Sequence, residues 1–70
     1  MKRIVKLFKK GKITDNVYFF ILKTYDEEYD LYAKVNNSIV ESFTLFLIDK
    51  PVEVTQEEET RIYELLEREF

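Results

Sequence analysis

Residues 17 to 25 read Val-Tyr-Phe-Phe-Ile-Leu-Lys-Thr-Tyr, and seven of these nine side chains are large apolar or aromatic groups. Along a β-strand successive side chains point to opposite faces of the sheet. A strand made from this stretch therefore sends bulk to both sides, with Tyr18, Phe20 and Leu22 on one and Phe19 and Ile21 on the other. Burying one such group is worth roughly 1.5 to 3 kcal/mol, so two or three left wet would forfeit a large share of a small domain's stability. Whatever fold forms has to put something against each face.

The means available are few. The chain has 70 residues, enough for a single compact domain over residues 1–70. A chain of this length buries only about 60% of the surface its unfolded form exposes, and its core alone rarely supplies more than about 3 to 5 kcal/mol. Disulfides are impossible and zinc, haem and iron–sulfur centres close to excluded, because the sequence has no Cys and no His. No cofactor is expected, and stability has to come from apolar packing or from association.

Lys2 to Lys9 alternates in the manner of a peripheral strand, which Gly11 is expected to break before a turn at Asp15 and Asn16. Val17 to Tyr25 is the second strand. In the third, Tyr29, Leu31, Ala33 and Val35 alternate with Asp30, Tyr32 and Lys34, so its inner face is legible. A turn at Asn36-Asn37-Ser38 leads to a fourth strand over Ile39 to Ile48. Pairing Leu31 with Phe43 and Tyr29 with Leu45 keeps apolar groups together and places Tyr32 beside Ser42 and Asp30 beside Thr44, which favours a three-residue loop.

Pro51 ends the fourth strand, since it lacks a donor and pushes Lys50 to extended geometry. Val52 to Val54 has room for one further short strand. Thr55-Gln56-Glu57-Glu58 then has the form of a capping box, the strongest local signal in the chain, and Ile62, Leu65, Leu66 and Phe70 recur at helical spacing to the C-terminus. These readings predict an α+β domain in the order β-β-β-β-(β)-α. An antiparallel sheet of four or five strands carries one C-terminal helix on one face, with curling toward a small barrel as a further option. One helix covers one face, which leaves the other to barrel closure, to a second copy of the chain or to a different partner.

Charge is distributed unevenly. Six of the eleven basic residues, Lys2, Arg3, Lys6, Lys9, Lys10 and Lys12, precede the first acid. With Phe8 among them, Lys2, Arg3, Lys6, Lys9 and Lys10 make a candidate nucleic-acid surface in which cations track phosphates and a ring stacks on bases. Against it, lysines on an edge strand are ordinary protection from unwanted pairing, and the net charge is −3. Asp26, Glu27, Glu28 and Asp30 gather around Tyr25, Tyr29 and Tyr32, either as a solvated loop or as an acidic, aromatic epitope that steers onto a basic protein surface.

Catalysis has little support, because without His or Cys the hydroxyls of Ser38 and Ser42 have no visible base. The N-terminal segment is too charged for a membrane span and too short for a secretion signal, which points to a cytoplasmic protein with no membrane partner. The expected function is a small non-enzymatic module for protein–protein interaction. Its candidate contact residues are Tyr18, Phe20, Leu22, Tyr25, Asp26, Glu27, Glu28, Tyr29, Asp30 and Tyr32, and a homodimer is one form it can take. Abundant Lys, Ile, Asn, Phe and Tyr suit AT-rich coding DNA, so an inhibitor from a phage or mobile element, docking on a host nucleic-acid enzyme, is the narrower expectation. The alternatives are nucleic-acid binding through the basic strand and a structural homodimer with no further activity.

Overall fold

The structure, a computed structural model, describes residues 3–70. It contains β1 (Ile4–Thr14), β2 (Val17–Thr24), β3 (Glu28–Asn36), β4 (Ile39–Leu47), β5 (Lys50–Pro51) and α1 (Gln56–Glu67). The strands form one antiparallel sheet in the order β1-β2-β3-β4-β5, so each pairs with its neighbour in sequence. The sheet is open, with β1 and β5 as its two edges, and it does not close into a barrel. The helix packs across one face.

Three local details depart from the sequence expectations. Gly11 does not end β1. It sits inside the strand at φ 147°, where the register against β2 slips between Lys9 and Gly11, so a residue without a side chain lets the strand bulge and continue. The further short strand is Lys50–Pro51 and not Val52 to Val54, with Pro51 opposite Phe46 on an edge where its missing N–H costs nothing.

The β3–β4 hairpin turns on two residues, Asn37 and Ser38, at φ 53° and 65°. Two consecutive left-handed residues match the twist of the strands they join. A register shift past Lys34 then leaves Glu41 as an extra residue, so that Leu31 pairs with Leu45 and Ala33 with Phe43. The expected partition of faces holds, while the expected pairs are two residues out of step.

The helix starts as its sequence dictates. Thr55 Oγ1 accepts from the Glu58 N–H at 3.2 Å, and the Glu58 carboxylate accepts from the Thr55 N–H at 2.8 Å. That reciprocal pair satisfies donors the first turn cannot satisfy internally. The same bond to the Thr55 N–H holds the Glu58 carboxyl below the usual carboxylate range. Ile62 and Leu66 are fully buried, and with Phe20, Leu22, Tyr29, Leu31, Ala33, Val35 and Leu45 they form the core between helix and sheet. Phe70 lies beyond the last helical turn but folds back, its ring 4.8 Å from Tyr18 and 6.2 Å from Phe20.

Candidate interaction face

The two sides of β2 have different fates. Phe20, Leu22 and Thr24 point to the helix and are buried, whereas Phe19, Ile21 and Lys23 point away from it. Strand pairing extends the outer set across the sheet. One rung reads Phe8, Ile21, Asp30 and Phe46, the next brings Phe19 to Tyr32 and Tyr32 to Thr44, and on the other side Lys6, Lys23 and Glu28 stand in line.

No element among the described residues forms a second layer over this face, but its rings support one another. Phe19 and Tyr32 lie 5.2 Å apart at an interplanar angle of 30°, and Phe46 meets Tyr32 edge-on at 5.8 Å. Cross-strand aromatic pairs of this kind contribute roughly 0.2 to 1 kcal/mol each. Phe19, Ile21, Tyr32 and Phe46 are half-buried in this way, and Phe8 is exposed.

Two shallow hollows flank the rings. Phe8, Lys10, Ile21, Lys23 and Glu28 line one, and Asp30, Tyr32, Phe46 and Asp49 line the other. Lys6 belongs to the first side, its ammonium 4.8 Å from the centre of the Phe8 ring. Charge on this face is uneven, with Lys6, Lys10 and Lys23 on β1 and β2, Glu28 and Asp30 on β3 and Asp49 in the β4–β5 turn, while Lys34 adds one cation at the far end of β3.

The contact residues expected from sequence do not form one surface. Phe20 and Leu22 are fully buried beneath the helix and Tyr29 is 3% exposed, so none of the three is available to a partner. Tyr18 shares their side and packs on Phe70. Glu28, Asp30 and Tyr32 lie on the open face, and Tyr25 and Asp26 at the exposed tip between β2 and β3.

That tip is held by Thr24. Its N–H donates to the Glu27 carbonyl at 2.9 Å, and its hydroxyl both donates to that carbonyl and accepts from the Glu27 N–H. The Glu27 side chain turns back to accept from the Tyr29 hydroxyl at 2.7 Å. Burial, reinforced by that bond and the nearby carboxylate, pushes the Tyr29 phenol up to about 12. The acidic cluster is therefore part turn architecture and part open face, not a single epitope.

The basic residues are also divided. Lys6 and Lys10 join the open face, but the ammonium of Lys9 sits on the helix side, 5.2 Å from the Tyr18 ring centre and 4.8 Å from that of Phe70. Arg3 is exposed at the start of the described chain, and Lys2 lies outside the described residues. Strand alternation could have sorted these sets in advance. Lys23 shares a face with Phe19 and Ile21, and a lysine is not buried under a helix without a partner, so that face had to be the outer one.

No helix among the described residues is long and apolar enough to cross a membrane. Comparisons with protein-family models, curated proteins and solved structures gave no match.

Proposed function

We propose that the chain is a non-enzymatic docking module that binds another protein chain through the open face of its sheet. The observation that carries this reading is the row of Phe8, Phe19, Ile21, Tyr32 and Phe46, over which no element among the described residues is layered. Contiguous apolar patches rimmed by charge are what association sites look like on small proteins, and aromatic rings are enriched at their centres. In the narrower form, inhibition of a host nucleic-acid enzyme, Asp26 at the neighbouring tip and Glu28 on the open face supply negative charge that steers the approach.

A photo-crosslinking residue placed at Tyr32, with a control at Glu64 on the exposed side of the helix, tests the reading. A discrete protein adduct from position 32 and none from position 64 supports it. No adduct from either position, or equal adducts from both, removes it.

A second reading has one specific observation in its favour. Phe19 and Tyr32 lie at 30° to each other on the face where Lys10 and Lys23 line a hollow with Phe8, and single-stranded bases can stack on rings flanked by cations in this way. Asp30 and Asp49 on the same face oppose it, because they set carboxylates where phosphates would run. Oligonucleotide binding at low salt that falls steeply as salt rises is the outcome that would favour this second reading.

A further inference from the structure

Resting on the docking reading, we infer that the occupant of the open face is a second copy of this chain, related by a two-fold axis that runs parallel to the strands between β2 and β3. The argument is the order of charge across the sheet. Lys6 on β1 and Lys23 on β2 are followed by Glu28 on β3, and beyond β4 the turn to β5 supplies Asp49. The row reads plus, plus, minus, minus.

Rotation about the proposed axis lays β1 of one copy over β4 of the other and β2 over β3. Every cation in the row then meets an anion: Lys23 faces Glu28 of the other copy, and Lys6 faces its Asp49. The rings match under the same operation: Phe8 lies over Phe46 at the two outer places of one rung, whose inner places set Ile21 over Asp30, and Phe19 lies over Tyr32 at the centre of the next. An isologous dimer demands a surface complementary to itself in this way, with residue i on residue j and j on i.

Size agrees. The molecule's two longer dimensions are 32 and 23 Å, which bound a face of the order of the roughly 800 Å² per partner that a stable complex buries. A nucleic acid would find half of this row repulsive, whereas a second copy finds none of it so.

Lys6 and Asp49 provide the test, since both are exposed and stand at opposite edges of one copy. Charge at one can compensate charge at the other only through a second molecule. Sedimentation equilibrium of the unaltered chain is expected to show a dimer. Lys6→Glu alone and Asp49→Lys alone should each raise its dissociation constant by about tenfold or more, since each substitution sets like charges together at both symmetry-related contacts.

Mixing the two variants should restore dimers, because the new carboxylate at position 6 then meets the new ammonium at position 49 while the native pair survives at the other contact. Circular dichroism of each variant confirms that folding is retained. Restoration on mixing supports the proposal, and its absence after both variants weaken the dimer overturns the proposed axis.

A chain that stays monomeric up to about 1 mM, where even binding of about 4 kcal/mol would show, overturns the second copy as occupant. The position-32 crosslink then decides whether docking itself survives: an adduct with a different protein keeps that reading and loses only the homodimer. Oligonucleotide binding by a monomeric chain overturns both.

Discussion

Phe19 and Phe20 are joined by one peptide bond and lie in different compartments, Phe19 against Tyr32 on the open face and Phe20 fully buried in the core that includes Leu66 and Ile62. Truncating them should have unequal cost. Phe20→Ala removes a core ring, typically about 3 to 5 kcal/mol, which matches what a core of this size supplies, so the variant is expected to be largely unfolded. Phe19→Ala should lose about 1 kcal/mol, the scale of one cross-strand pair. Urea unfolding of both variants checks the difference, and equal losses would place the two rings wrongly.

Ile48 carries a strain with no evident compensation. It stands at φ 48°, next to Asp49 at φ 63°, and its side chain is 86% exposed. A left-handed conformation costs an ordinary residue about 1 to 2 kcal/mol, and a β-branched one fits it worst. Ile48→Asn, which suits a two-residue turn of this hand, should therefore stabilise the fold by about 1 kcal/mol in thermal or urea denaturation. A loss of stability would mean that Ile48 makes contacts its exposure does not suggest.

Thr55→Ala removes the hydroxyl that accepts from the Glu58 N–H, leaves the Thr55 N–H bond to the Glu58 carboxylate in place, and is expected to cost about 1 kcal/mol. Acid titration adds a sign. The Glu58 carboxyl is held below its ordinary value in the folded chain, so its contribution is present above the unfolded value and fades as pH falls through the folded one. In Glu58→Gln, whose amide oxygen still accepts from the Thr55 N–H but does not titrate, this part of the acid sensitivity should disappear, which urea midpoints measured from neutral to acid pH will show.

Alkaline pH acts on Tyr29. Its phenol titrates near 12 in the folded chain and near 10 when exposed, so the folded form holds the proton more tightly. The stabilisation is fully present below pH 10 and is lost as pH rises toward 12. Tyr29→Phe should flatten this part of the profile, at a cost near neutral pH of about 1 kcal/mol for the lost bond to Glu27. An unchanged alkaline slope would show that other groups, such as lysines, control it.

The elements of this fold were largely legible because each carried a local signal: the alternation of β3, the capping box at Thr55, the spacing of Ile62 and Leu66. Less legible was everything set by pairing. Alternation fixes which residues share a face of β2 but not which face receives the helix, and only Lys23 broke that tie. The β3–β4 register depended on an extra residue at Glu41, which leaves no mark in composition. Gly11 shows the same limit, since one glycine serves equally to end a strand or to let it bulge. The candidate site followed these uncertainties: Tyr32 and Asp30 kept their place on an accessible face, while Phe20, Leu22 and Tyr29 moved to the core once pairing was known.

The two borders of the sheet bear on how far self-association can proceed. β1 slips register at three places along its length and presents Lys9, Lys10 and Lys12, while β5 is two residues long and ends in proline. Neither offers a straight ladder of free amide and carbonyl groups for an incoming strand. Sideways growth into ribbons or fibrils is disfavoured at each border, and the proposed two-fold contact would use up the apolar surface of the open face. Crowded molecules of this protein should accordingly stop at closed pairs and stay clear in solution.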